Sequence, residues 1–207
     1  SKKCPACIGQ YAFAHRADVG PVAKAAIFHA QFETVHPFID GNGRCGRALV
    51  HKMLKDEELL GQTTLPVSVG LLHNIDGYMA SLDAYHEGGY EASVAQLIDA
   101  LEIACVVGKM AAKRLDAVIE IWNSTLTQRK GSRIYRLVDV LVEQPVVNRA
   151  YLTEHLQITT RAASSLISTA CEHGMLRPVS KSQRATFYQS DDAIEVLEDI
   201  SDIRSLR

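Results

Sequence analysis

The sequence contains no hydrophobic run long enough to cross a bilayer, and its N-terminus lacks the charged and then apolar segments of a secretory signal. Its formal net charge is only −2, so no overall attraction to nucleic acid or to anionic membranes is expected. The five cysteines are scattered without the spacing of a disulfide framework, which suits a reducing compartment. These absences predict a cytoplasmic protein without a membrane partner.

Several familiar binding motifs are also missing. Cys4 and Cys7 have the spacing of half a zinc knuckle, but no second pair follows, which argues against a zinc site. The chain has no Gly-x-x-x-x-Gly-Lys-Ser/Thr, and no strand pattern precedes its glycine-rich segment. Neither a P-loop nor a Rossmann nucleotide site is therefore expected.

What the chain does contain is apolar spacing typical of helices, and no strand pattern appears before residue 140. A length of 207 residues with 47% hydrophobic content fits one large domain or two small ones. The pattern predicts helices over Pro21–Val35, from about Gly43 to Leu60, over Val67–His73 and Ile75–His86, and from Glu91 to about Thr127. The fold class is predicted to be mainly α.

The polar stretch 128–132 is the predicted boundary between a domain at 1–127 and a second domain at 128–207. The second part is predicted to contain helices over Arg133–Glu143, Asn148–Leu156, Thr160–His173 and Asp192–Ser201, and strands over Leu176–Val179 and Ala185–Gln189. This order is typical of a winged helix-turn-helix, a small α+β domain.

Residues 36–47 read His-Pro-Phe-Ile-Asp-Gly-Asn-Gly-Arg-Cys-Gly-Arg and connect two of the predicted helices. Glycines at the start of a helix allow its backbone N–H groups to approach an anion closely. Arg44 and Arg47 follow on one face of the first turns, where cations are disfavoured by roughly a few tenths of a kcal/mol each. An anionic ligand would reverse that sign, so the segment predicts a phosphate site.

Three side chains of this segment have alternative interpretations. His36 is either a structural residue or a general base, since imidazole titrates near neutral pH. Asp40 is either an N-cap or a ligand for Mg²⁺ beside bound phosphates. Phe38 alternates away from both and is predicted to anchor the loop in the core.

The segment matches the motif His-x-Phe-x-(Asp/Glu)-Gly-Asn-Gly-Arg-x-x-Arg at every fixed position, and in this it resembles the Fic family. The flanking residues Ala30–Glu33 and the spacing of Tyr78, Leu82 and Tyr85 are similar to Fic proteins as well. The resemblance covers about residues 10–125 and implies a Fic-type helical bundle. A trailing winged helix is a common companion in this family.

The resemblance implies transfer of AMP from Mg²⁺-ATP to a Ser, Thr or Tyr hydroxyl of a target protein or of the enzyme itself. It makes His36 the base and Asp40 the Mg²⁺ ligand. The implied nucleotide-binding residues are Gly41, Asn42 and Gly43 on the inner phosphates, Arg44 and Arg47 on the outer phosphates, Gly46 in the same segment, and Tyr78. Tyr78 has two alternative roles, as a residue that lines the adenosine pocket or as a core residue. The motif also does not exclude a nucleotide donor other than ATP.

Two features common in the family are not recognisable. The one Ser/Thr-x-x-x-Glu stretch, Ser168 to Glu172, is followed by His173 within a predicted recognition helix, so it is rejected as the inhibitory motif. No β-hairpin flap is visible before the motif either. We expect the catalytic domain to be N-terminally incomplete, and an upstream inhibitory helix is left open.

The sequence does not decide which kind of partner the second domain binds. Between residues 145 and 190 it is mildly basic, with Arg149, Arg161, Arg177, Lys181 and Arg184 against Glu154 and Glu172. Its presumed recognition helix offers Arg161 and otherwise small residues, whereas base readout favours Arg, Asn or Gln. A protein-contact or homodimer module is therefore preferred over DNA binding. The alternative function is a nucleotide-sensing, DNA-binding transcription regulator.

Overall fold

The computed structural model describes residue 13 and residues 16–61, 63–181 and 186–201. The Cys4/Cys7 pair and residues 182–185 of the predicted wing lie outside the described residues. Within them the chain is mainly helical with one small sheet, which confirms the predicted fold class. No helix in these ranges has the length and apolar character needed to cross a membrane.

The chain divides into two compact units, residues 1–108 and 109–207. The elements are α1 Pro21–Val35, α2 Asn42–Asp56, α3 Val67–His73, α4 Ile75–His86, α5 Glu91–Thr125, α6 Arg133–Glu143, β1 Val146–Asn148, α7 Arg149–His155, α8 Thr160–Glu172, β2 Arg177–Lys181, β3 Thr186–Gln189 and α9 Asp191–Ser201. The units divide within α5 rather than at the polar stretch 128–132. The predicted split into a catalytic and a winged-helix domain stays a prediction.

The core of the first unit forms where α1 and α2 pack against each other. Ala25 and Ala26 of α1 are buried with Val50 and Leu54 of α2, and small residues on one helix allow the close approach. The same cluster takes in residues of α3 and α5, namely Val67, Leu71, Leu97 and Ala100. This packing sets the positions of the two helix ends that the 36–47 segment joins.

Helix α1 has the predicted bounds, but α2 ends at Asp56 instead of about Leu60. Glu58 adopts a left-handed backbone with φ 59°, and the Leu59 N–H donates to the Leu54 carbonyl at 3.0 Å. This is a Schellman-type ending, which normally places glycine in the left-handed position. Because a glutamate occupies that position here, the sequence carried no signal for the earlier end.

The second unit is built on its own apolar core, and its sheet is antiparallel with the order β1-β3-β2. The predicted two-stranded hairpin is thus extended by β1, which pairs Val147 with Tyr188. A strand of three residues is too short to show a period-two pattern, so this element was not predicted. The side chains of Asn148 and Thr159 cap α7 and α8 by accepting from the N–H groups of Tyr151 and Ala162.

Candidate functional site

His36 lies at the C-terminal end of α1 with its side chain 61% exposed. Its backbone is left-handed, with φ 48°, a conformation that costs a non-glycine residue about 1–2 kcal/mol. Nδ1 lies 3.1 Å from the carbonyl oxygen of Glu33, which assigns the ring proton to Nδ1. Nε2 is therefore the nitrogen that can accept a proton, and it belongs to an exposed ring.

The turn after His36 exposes the N-terminus of α2. Gly41 is the N-cap residue in a left-handed conformation, with φ 85°, and no side chain bonds to the amides of the first turn. The first helical bond runs from the Cys45 N–H to the Gly41 carbonyl at 2.9 Å, so the N–H groups of residues 42–44 are left for a ligand. Such amides at a helix N-terminus form an anion-binding site.

Asn42 and Phe38 take positions that the sequence did not predict. The Asn42 side chain is buried and bonds to the Phe38 backbone twice, accepting from its N–H at 2.9 Å and donating to its carbonyl at 2.6 Å. In this arrangement the side-chain amide of Asn42 holds the loop, and its predicted part in phosphate binding stays a prediction. Phe38 is 52% exposed, so its predicted role as a core anchor is wrong. The loop is held by Asn42 instead.

Asp40 is exposed and does not cap α2, which removes the alternative N-cap interpretation. Its carboxylate accepts a bond from Arg44 Nη2 at 3.0 Å, a surface ion pair of little net energy. A hard, exposed carboxylate beside free amides fits Mg²⁺, which uses one or two carboxylates together with substrate phosphates. Among the described residues no cluster of three or more His, Cys, Asp or Glu forms a metal site by itself.

Arg47 lies over the turn. A Cβ at Gly43 would be 3.1 Å from Arg47 Nη1, so the guanidinium rests directly on the glycine. The positive charge of Arg47 also acts on the buried Glu33 carboxyl. Arg47 thus lies between the amide turn and a buried acidic group, where its charge is available to an anion bound at α2.

Beneath the turn lies a polar cluster of the buried His29 and the partly buried Glu33 and Tyr78. His29 Nε2 is 3.0 Å from the Tyr78 hydroxyl, and the two rings stack with centroids 5.9 Å apart. Burial and the nearby charge of Arg47 lower the pKa of His29 to about 4. A backbone hydrogen bond with Gly46 acts in the opposite direction. Burial and the Glu33 charge raise the pKa of Tyr78 to about 12, and Arg47 opposes them. Tyr78 therefore supports the site from below, while a contact with adenosine stays a prediction.

Gly46 does not face the ligand side of the turn. It is buried where α2 crosses α1, and a Cβ there would lie 2.9 Å from His29 Nδ1 and closer still to Glu33 Oε1. Gly46 therefore has a packing role, and its assignment to the nucleotide-binding residues stays a prediction. The glycine makes room for the two buried polar side chains.

Gly46→Ala is expected to destabilise the protein by about 1–3 kcal/mol, because the added methyl overpacks the helix crossing. Thermal unfolding followed by circular dichroism measures the loss. Ala48→Ser is a matched control, since it adds one atom to an exposed position of the same helix and should unfold like the parent. An unchanged Tm for Gly46→Ala would contradict the proposed packing role.

His29 and Glu33 were missed as site residues by sequence reasoning, although Glu33 was noted among the flanking residues. With His36 they recur at intervals of four and three, which places all three on one face of α1. Ionisable residues repeated on the buried face of an otherwise apolar helix were the available signal.

The fold and the site together define a helical protein in which a glycine-containing loop joins two packed helices and exposes the N-terminus of the second. Residues 5–54 match the Fic/DOC family, and this assigns the segment that carries the loop to that family. The family assignment made from the 36–47 motif is confirmed.

Two relatives extend the comparison. The chain is 39% identical over 67 residues to a probable protein adenylyltransferase of Aquifex aeolicus (strain VF5), covering 32% of this chain and 18% of that protein. It is 38% identical over 81 residues to a Fido domain-containing protein of Dictyostelium discoideum, covering 38% of this chain and 52% of that protein. The chain spans about half or less of the relatives it matches.

Proposed function

We propose that this chain is a protein adenylyltransferase, which transfers AMP from ATP to a Ser, Thr or Tyr hydroxyl of a target protein or of itself. The observation that carries the proposal is the placement of an exposed imidazole at the end of α1 next to the free amides that open α2. The family match and the relative named as a probable adenylyltransferase support the transferase class.

Each group of the site has a task in this reaction. The target hydroxyl attacks the α-phosphorus of ATP, and His36 Nε2 takes the hydroxyl proton as the new P–O bond forms. The bond from the α-phosphorus to the β-phosphate oxygen breaks, and pyrophosphate leaves. The amides of residues 42–44 hold the phosphates, and the two arginines neutralise the charge that accumulates on the leaving group. Asp40 would hold the Mg²⁺ that accompanies ATP, and this ion adds further charge neutralisation.

The arginines also gain from bound nucleotide. Cations in the first turns of a helix oppose the dipole, and no acidic residue lies in the first turn of α2 to compensate. A polyphosphate at this position reverses the unfavourable interaction. The Arg44–Asp40 pair, exposed on both sides, can open at little cost to free each partner for the nucleotide and its ion.

ATP labelled at the α-phosphate is expected to label protein in the presence of the chain and Mg²⁺, whereas ATP labelled at the γ-phosphate is not. The reason is that only the AMP portion is transferred and the outer phosphates leave as pyrophosphate. Incubation with cell lysate, gel autoradiography and intact-mass measurement would report label and added mass together. Parallel reactions with UTP identify the donor, and label from γ-labelled ATP alone would contradict nucleotide transfer.

A further inference from the structure

Two oxygens of Glu33, one from its backbone carbonyl and one from its carboxylate, lie near Nδ1 of the His36 ring. Nδ1 lies 3.1 Å from the backbone carbonyl of Glu33 and 3.8 Å from its carboxylate Oε2. His36 also caps α1, where the unpaired carbonyls form the negative end of the helix dipole. All three features favour a positive charge on this imidazole.

We infer that Glu33 is a positioning residue for His36, with a carbonyl that keeps the ring proton on Nδ1 and a carboxylate that stabilises the imidazolium formed when Nε2 accepts a proton. The inference rests on the proposed role of His36 as a base. Glu33 itself neither gives nor takes a proton in the step: the proton passes from the hydroxyl to Nε2 and later to solvent.

The position of the carboxylate is set by its surroundings. The Glu33 side chain is 11% exposed, and Oε1 has no hydrogen-bond partner among the described residues. Oε1 points to the space above Gly46, 3.9 Å from His29 Nδ1, so the other oxygen is the one directed at His36. A residue that served only to fill space would not require an ionisable group with a partnerless oxygen at this depth.

The charges around Glu33 come from each helix packed against it. His29 faces it from α1, Arg47 from α2 and Tyr78 from α4, with His36 at the helix end. Burial raises the pKa of the Glu33 carboxyl, and the charges of His36 and Arg47 oppose that rise. Since His36 is exposed to water, the influence of Glu33 on it is screened and moderate.

The interaction can be measured without nucleotide or target. In Glu33→Gln, the midpoint of the His36 ring titration, followed by NMR, is expected to fall, because a carboxylate oxygen 3.8 Å from Nδ1 loses its negative charge. The His36 signal is assigned by its loss in His36→Ala. Glu33→Asp keeps the charge and should move the midpoint less than Glu33→Gln does. Glu102→Gln removes an exposed charge elsewhere in the first unit and should leave it unchanged.

The same variants separate positioning from packing in the transfer assay. Glu33→Gln should move the acid limb of the pH–rate profile to lower pH and reduce kcat about tenfold, with little change in KM for ATP. If Glu33 served only for packing, Glu33→Gln would lower the rate equally at every pH and leave the acid limb of the profile where it is. A His36 midpoint in Glu33→Gln equal to that of the parent would overturn the inference even if transfer occurs. A shifted midpoint in a chain that transfers no AMP would instead leave the coupling intact and refute the proposed function.

Discussion

His36→Ala is expected to reduce AMP transfer by about 10²–10⁴-fold, the usual contribution of a positioned general base. The His36 side chain is 61% exposed at the end of α1, one short loop before the N-terminus of α2, and its Nδ1 proton is held by the Glu33 carbonyl. Removing the imidazole leaves the phosphate site in place, so ATP binding should persist while the chemical step slows. Initial rates with α-labelled ATP, together with nucleotide binding by calorimetry, separate the two effects.

His36→Gly provides the folding control for this experiment. Because residue 36 has φ 48°, glycine relieves the strain of the left-handed backbone, and the variant should unfold at the same temperature as the parent or above it. It should be as inactive as His36→Ala. His86→Ala removes an exposed histidine at the end of α4 and should stay fully active. Unimpaired labelling by a folded His36→Gly would remove His36 from the mechanism.

Gly70→Ala is expected to destabilise the first unit by about 3 kcal/mol or more, near the upper end of overpacking effects. A Cβ at Gly70 of α3 would lie 2.7 Å and 2.8 Å from the carbonyl carbon and Cα of Ala100, and closer still to its carbonyl oxygen. Backbone atoms inside α5 cannot rotate away as a side chain can. We expect a fall in Tm on the order of 10 °C by calorimetry or circular dichroism.

Gly108→Ala is the matched control for Gly70→Ala. Its added Cβ would meet Pro66 Cδ at 3.7 Å and Leu65 Cδ2 at 3.9 Å, which are ordinary contact distances. Alanine is also the better helix former by about 1 kcal/mol, so this variant should be as stable as the parent or more stable. Equal stability of both variants would show that α3 does not pack on α5 as closely as the structure has it.

The helices of the first unit were largely predictable because their apolar residues recur with helical spacing and because proline marks the ends of α1. Pro21 suits a first helical position, and Pro37 disfavours helix at His36. The end of α2 was not predictable, since Glu58 takes a backbone conformation that usually belongs to glycine. Strand β1 was missed for a different reason: three residues acquire their structure from pairing with β3.

The ligand side of the candidate site was also visible in the sequence. A glycine-flanked turn, two arginines, an aspartate and a histidine within a dozen residues are local features, and their closeness along the chain is read directly from the sequence. Two of the polar residues that pack beneath the turn, His29 and Glu33, were not predicted as part of the site. Phe38 was wrongly placed in the core, and the packing of Gly46 against His29 and Glu33 was not foreseen, because both depend on which residues the fold brings near them.

By itself, then, the sequence determined the class of fold, the helix–loop–helix with free amides at its second helix, and the residue types able to bind a polyphosphate and accept a proton. These features depend on short-range backbone preferences and on side-chain chemistry, and both follow from residues close together in the sequence. Only the tertiary structure decided that Tyr78 of α4 meets His29 and that Glu33 and His29 lie against Gly46 of α2. Burial and electrostatic coupling depend on how α1, α2 and α4 pack, and no local stretch of sequence contains that information.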